Sequence, residues 1–414
     1  GPRILAARFR TGNNPDRARP SPQMARRGYS NAMDTATPGP RNRRLLARLT
    51  VVALATMQVA VLSAGCDRGE RNLTSAASGP PRVSFESAEA SELLGADDGF
   101  QLAIFYGAEL MGSINGCGCY GNPEQGSIAW RLGYTEGFRA RYPEAGTLQV
   151  DAGHSLDAIR DRADTLLPDF QTKDDWVVAA FDRLGFDAAN ITHHDVPYLE
   201  QSLRSGDRER ALAEMPMLGR YVSANLEPDR PDLIAPPAYV VREIAGDRLP
   251  SGSLRVAIVG VTEDGPSLRA SGFRAVDAAT ALNRVLPQAR AESGLVVLLA
   301  YIDPKEVPAL ASKLSSPPDL VIVAHPLARN LSPSLEAAPR IAYARYKTEA
   351  LGEIRLHLDG RGIARAGNRY IKLDEPLPKD PLAAQIAADA DAAIRRARLE
   401  RFRGKTAPPG GAPR

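Results

Sequence analysis

Between residues 100 and 325 the apolar positions fall into short, nearly unbroken runs: QLAIFY (101–106), TLQVDA (147–152), FDAANI (186–191), YVSAN (221–225), LRVAIVGV (254–261), GLVVLLAY (294–301) and DLVIVA (319–324). Runs of this length without polar alternation predict strands buried on both faces. Between them lie stretches of helical period, such as KDDWVVAAFDRLG (173–185) and AVDAATALNRVLPQARA (275–291). Strands alternating with helices in this way predict an α/β fold whose sheets are covered on both sides.

The pattern changes near the C-terminus. ALGEIRLHLDG (350–360) and GIARAGNRYIKL (362–373) alternate apolar and polar residues about a Gly-containing turn, which predicts an antiparallel pair with one wet face. A final helix follows over roughly 381–403, with Arg395, Arg396, Arg398, Arg401 and Arg403 toward the end where cations suit the helix dipole. These arginines read first as a solvated helix end, with anionic lipid headgroups as the alternative partner.

The N-terminus reads as an address. Residues 1–43 are rich in Arg, Pro, Asn and Ser and carry no apolar period, so they form a disordered extension or lie upstream of the true start. RNRRLLARLT then supplies a basic region, VVALATMQVAVL an apolar run and SAGC a small-residue site ending at Cys66. The run is shorter than the roughly 20 residues a membrane-spanning helix needs. Residues 44–66 are therefore expected to be a signal peptide, and LSAGC resembles a bacterial lipobox, which implies cleavage before Cys66 and lipidation of its thiol. The chain is thus expected outside the cytoplasm, on the periplasmic side of a bacterial membrane. Residues 67–97, polar and small with a Gly-Pro-Pro break, are expected to be a flexible tether. The domain itself should span 98–378, with the final helix and tail over 379–414.

At 414 residues and 43% hydrophobic, the chain can bury a sizeable core. Its 52 Lys and Arg balance 49 Asp and Glu, and the small basic excess sits at the ends, so no nucleic-acid partner is expected.

Only five histidines occur, and four of them, His154, His193, His194 and His325, stand just past the ends of expected strands in VDAGH, NITHHD and VIVAH. In α/β sheets ligands bind outside the carboxyl ends of the strands, where distant segments converge. Imidazole is the commonest protein metal ligand, and three on one edge suit a zinc-like ion at about 2.0 to 2.1 Å. Glu109, Asp151 and Asp195 lie near the same edge. His357, inside the alternating strand EIRLHLD, reads as structural.

From about residue 100 to 345 the order of these segments resembles the calcineurin-like metallophosphoesterases, and among them the N-terminal domain of the 5'-nucleotidases. The family's Asp-x-His after its first strand matches Glu109 and Met111, its Gly-Asp matches Gly153 and His154, and its Gly-Asn-His-Glu matches Thr192 to Asp195. Ser223 to Asn225 resemble the family's Ser-Ala-Asn strand. Its later single His aligns with Tyr301, and its closing Gly-His-x-His aligns with Ala324 to Leu327. GCGCYGNPEQGSIAWR stands where relatives carry a Gly-Gly-[IL]-Ala-Arg-Arg segment. The resemblance implies a four-layer α/β/β/α sandwich of two packed mixed sheets.

It also implies two metal ions about 3.5 to 4 Å apart that activate a water for attack on phosphorus. Here the bridging carboxylate is His154, and a neutral imidazole has one free lone pair. Met111 and Leu327 replace two further ligands, so the first ion is not expected. The second site retains His154, His193 and His325, with Tyr301 and Glu109 nearby, as an expected set for one zinc-like divalent ion. His194 matches the residue that assists phosphate transfer, and Asp195 beside it completes the expected catalytic pair. The aspartate that orients this histidine in the family pattern aligns with Pro197.

Cys117 and Cys119, left over as a pair by a lipidated Cys66, are expected to form a strained local disulfide or a soft-metal pair, the alternative being a glycine-dominated loop whose cysteines are incidental. Two functions stand on these residues. One is a single-metal phosphoester hydrolase. The other is a catalytically inactive protein of the same fold that binds a small phosphorylated molecule or a protein partner.

Overall fold

The computed structural model describes residues 85, 87–116, 124–162 and 164–406, with side chains as far as 403. The expected extension, signal peptide, Cys66, Cys117 and Cys119 lie outside the described residues.

The chain order of strands begins with β1 (Leu102–Gly107), β2 (Gly146–Asp151), β3 (Ala188–Asn190), β4 (Tyr221–Val222), β5 (Leu226–Pro228) and β6 (Tyr239–Ala245). It continues with β7 (Ser253–Thr262), β8 (Phe273–Ala275), β9 (Leu295–Tyr301), β10 (Leu320–Val323), β11 (Arg340–Tyr343), β12 (Ala350–Asp359) and β13 (Gly362–Lys372). The longer helices among the described residues are α1 (Ile128–Arg141), α2 (Pro168–Arg183), α3 (Ala278–Glu292) and α4 (Pro381–Thr406).

Two mixed sheets form. The first has the order β13-β12-β1-β2-β3-β4, with β1 to β4 parallel and β12 antiparallel to β1. The second has the order β11-β10-β9-β7-β6, parallel except for the edge strand β6. A small β5-β8 pair stands apart.

The two-residue period of each strand decides which layer a side chain enters. Leu102, Ile104 and Tyr106 of β1 meet Val256 and Ile258 of β7 and Val297, Leu299 and Tyr301 of β9 between the sheets. Ala103 and Phe105 turn the other way onto Trp130, Tyr134 and Phe138 of α1. Ala257, Val259, Val296 and Leu298 face Leu282, Val285 and Leu286 of α3. Helix, sheet, sheet and helix therefore stack as the expected four-layer sandwich. Each fully buried Leu, Ile or Phe adds about 1.5 to 3 kcal/mol relative to exposure, so this is where most of the stability resides.

The expected final helix is present and longer, Pro381–Thr406. The expected tether ends early. A short helix, Ala88–Leu93, starts on the Ser87 side-chain cap and belongs to the fold. It is held because Arg369 donates to the carbonyl of Leu93, Arg355 to those of Leu94 and Ala96, and the Tyr142 hydroxyl to that of Leu94. Arg355 and Arg369 in turn pair with Glu353, which is completely buried. No helix among the described residues is long and apolar enough to cross a membrane.

Candidate functional site

The parallel strands of both sheets end at one rim, and six of them deliver polar side chains there. Glu109 follows β1, His154 follows β2, His193 and His194 follow β3, Glu263 follows β7, Tyr301 ends β9 and His325 follows β10. Polar staples beneath the rim hold these ends in register. Asn190 donates to the carbonyls of Ala152 and Val261, at 3.2 and 2.9 Å, which joins the ends of β2 and β7 across the sheets. Asn225 donates to the Thr262 carbonyl and accepts from the Thr262 N–H.

The first two loops zip together. Glu109, Met111 and Gly112 donate backbone N–H groups to Gly153, His154 and Ser155 at 2.8 to 3.0 Å. Glu109, Met111 and His154 all have positive φ, at 56°, 51° and 57°. A left-handed backbone disfavours residues that carry a Cβ, and such positions cluster where a site over-determines them. Gly153, at φ 125°, fits because a Cβ there would come within 2.4 Å of Thr192 Cγ2.

The histidines do meet. His154 stacks on His194 with ring centroids 3.8 Å apart and planes 13° from parallel, and His193 follows at 3.9 Å from His194. Tyr301 packs against all four rim imidazoles, with centroid distances of 6.2 Å to His154, 5.8 Å to His193, 6.0 Å to His194 and 5.7 Å to His325. Burial sets their charge. It pulls His154 down to about 4, helped by His193 and Lys173, and His194 down to about 3, helped by His154 and His193. His193 is lowered for the same reason. These imidazoles are neutral near pH 7, so His194 is not an imidazolium there and keeps a single ring N–H to donate. The Tyr301 phenol is pushed upward by burial and by Glu109 and Glu263, which keeps it protonated.

A nitrogen lone pair lies in the plane of its ring, so the stacked His154 and His194 cannot both aim at one ion. His325 Nδ1 accepts from the Leu327 N–H at 3.2 Å, while its Nε2 faces Glu263 at 3.5 Å. Among the described residues, no group of three or more His, Cys, Asp or Glu is placed to hold a metal ion. Among those residues, His154 Nδ1, His193 Nδ1 and Glu109 Oε1 are buried without a hydrogen-bond partner.

Asp195, expected as a catalytic partner of His194, has another position. Its carboxylate is fully buried and accepts from the Thr192 N–H and hydroxyl at 2.8 and 2.6 Å, and from the Leu156 and His154 N–H groups at 2.8 and 3.2 Å. It fastens the two histidine loops together and has no polar contact with a rim imidazole ring. His357 pairs with Asp98 at 3.2 Å, away from the rim, as its strand position suggested.

Several site residues escaped the sequence reading. Glu263 follows β7 directly, and the edge rule that picked out the histidines would have found it. Arg131 of α1 lies under the first sheet, its guanidinium 4.4 Å over the Phe186 ring and donating to the Val150 carbonyl. It faces Asp151, whose carboxyl burial pushes up to about 7. Glu109 also rises to about 7 through burial, against the pull of Arg329 and Lys347. These two cations and Lys173 border the rim.

No family model matches the chain, and no curated protein matches it. Solved structures do. The 5'-nucleotidase precursor of Thermus thermophilus superposes with a TM-score of 0.54 at 17% identity, over 72% of this chain and 59% of that one. The calcineurin-like phosphoesterase YfkN from Bacillus subtilis superposes at 0.53 and 16% identity, over 72% of this chain and 99% of that one. The fold is the metallophosphoesterase fold. It takes the form of the 5'-nucleotidase-type domain, and the sulfate thiohydrolase SoxB of Thermus thermophilus shares it at 0.52 and 17% identity, over 72% and 60% of the two chains. The chain spans about three fifths of the length of the 5'-nucleotidase and SoxB structures. Metallophosphoesterase folds normally bind divalent metals.

Proposed function

We propose that this protein is exported and lipid-anchored, and that its metallophosphoesterase fold binds a small phosphorylated ligand at the rim without hydrolysing it. The observation that carries this reading is the parallel stack of His154 on His194. The position that the resemblance assigns to a bridging carboxylate holds instead a neutral imidazole, its plane turned parallel to its neighbour. The left-handed backbone at Glu109, Met111 and His154 supports a rim shaped for a ligand. Arg329 and Lys347, both close enough to pull on Glu109, suit an anion, while Lys173 is paired with Asp157 at 2.8 Å. The phosphorylated class rests on the names of the structural neighbours, a 5'-nucleotidase and a phosphoesterase.

A second reading, a hydrolase using one zinc-like ion at His154, His193 and His325 with Glu109 and Tyr301 beside it, is favoured by a separate observation. His154 Nδ1, His193 Nδ1 and Glu109 Oε1 are buried without a hydrogen-bond partner among the described residues.

Elemental analysis of protein purified without chelator, a phosphomonoester and phosphodiester panel, and calorimetry with AMP and inorganic phosphate separate the two. The binding reading expects no stoichiometric metal, no turnover and a measurable heat with phosphate or AMP that weakens in Lys347→Ala. One zinc per chain, with turnover that His193→Ala abolishes, would replace it by the hydrolase.

A further inference from the structure

Helix α4 has two halves of different character. Its buried residues, Ala383, Ile386, Ala387 and Ala390, all lie in the first half, where the helix covers α1 and α2. Beyond Asp391 the sequence AAIRRARLERFRGKT carries six cations against one carboxylate, Glu400. Two large apolar side chains among them are more than half exposed, Leu399 at 58% and Phe402 at 52%, the latter with the Arg401 guanidinium 5.1 Å over its ring.

One ion pair fixes the rotation of this half. Arg401, with only 17% of its side chain exposed, binds the buried Asp169 of α2 at 2.9 Å, which marks the inward face. Arg398 lies toward the same side, 3.6 Å from Asp169. At about 100° per residue, the face opposite Arg401 is centred on Leu399 and carries Arg395 and Arg396, with Phe402 at its margin. Arg395 is one turn before Leu399 and Arg398 one turn before Phe402, so each apolar residue has an arginine beside it. Arg395 reaches Asp391 only at 3.8 Å, and its side chain is 68% exposed.

We propose that this outward face of α4 docks on the surface of an anionic phospholipid bilayer, as a membrane contact separate from the lipid anchor expected at Cys66. Leu399 and Phe402 enter the headgroup boundary, and the arginines bind lipid phosphates around them. An interfacial helix has this composition, with apolar side chains bordered by arginines whose stems reach along them to the headgroups. A protein partner would have to match these arginines and two apolar groups with a shaped acidic surface. A bilayer needs only to be anionic and deformable.

The test uses the full chain with Cys66→Ala, so that no acyl group is attached, and sedimentation with phosphatidylglycerol-containing vesicles against pure phosphatidylcholine vesicles. Each arginine near an anionic surface contributes about fivefold in partitioning, so Arg395→Glu with Arg396→Glu should lower binding to phosphatidylglycerol at least about 25-fold. Binding to phosphatidylcholine should not change. The N-terminal basic segment is common to both proteins and cancels from the comparison. Phe402→Trp reports locally, and its emission should move to shorter wavelength with anionic vesicles only. Equal partitioning of the arginine variant and its parent, or no emission shift, overturns the proposal. So does a self-association that Leu399→Ser abolishes with vesicle binding unchanged, which would make a second copy of the chain the occupant.

Discussion

The imidazole rings of His154 and His194 lie 3.8 Å apart and 13° from parallel, although 40 residues separate them in the chain. Two stacked rings at this spacing cannot both be charged without strong repulsion, and burial keeps both neutral. Their folded values, about 4 and about 3, lie below the ordinary 6.5. A depressed value contributes stability that is present above pH 6.5 and lost as the pH falls through 4 and then 3. The raised carboxyls Asp151 and Glu109, near 7, act oppositely: their contribution is present below their unfolded values, about 3.8 and 4.5, and is lost as the pH rises through 7. A His194→Gln variant should therefore lose less stability than the parent between pH 6.5 and 4. Urea titrations at several pH values check this, and a parallel loss in both proteins would refute it.

Asp195 offers a second measurement. Its carboxylate accepts from three backbone N–H groups and two hydroxyls, counting Ser155 at 3.4 Å. Asp195→Asn points an N–H2 group at donors and should cost about 2 to 4 kcal/mol in chemical denaturation. Amide exchange should accelerate at Leu156 and Thr192 before the sheet opens.

Backbone strain at the rim can be tested at Gly153. Alanine there combines φ 125° with a Cβ 2.4 Å from Thr192 Cγ2, so Gly153→Ala should destabilise by about 2 to 4 kcal/mol and loosen the His154 loop. Thermal melts give the first quantity. The second shows as loss of the His154 and His194 ring-current shifts in NMR.

Far from the rim, Glu353 is a buried anion between two cations, with Arg355 at 2.6 Å and Arg369 at 3.2 Å, and it also accepts from the Tyr134 hydroxyl. Removing one member of such a network leaves the others charged and unpaired. Glu353→Leu should cost about 3 to 5 kcal/mol, and limited proteolysis should then cut near residues 93–96, whose carbonyls Arg355 and Arg369 hold.

The hydrophobic pattern alone located β1, β2, β3, β7, β9 and β10, because strands buried on both faces must be apolar at successive positions. It also placed the antiparallel β12-β13 pair and the last helix. It did not single out β6, a half-buried edge strand, or β11, four residues long. The same strand ends brought His154, His193, His194, Tyr301 and His325 to one rim, since the carboxyl ends of parallel strands share an edge whatever their spacing in sequence.

What the side chains do once there was decided by tertiary structure. The direction of a side chain past a strand end depends on loop dihedrals, and Glu109, Met111 and His154 adopt left-handed ones that no apolar period encodes. Those dihedrals lay His154 flat on His194, and Asp195 is drawn into the loop rather than toward a ring. Strand order and shared edge follow from a one-dimensional pattern of burial. Ring orientation and hydrogen-bond assignment follow from contacts between segments far apart in the chain, and those exist only once the sheets have packed.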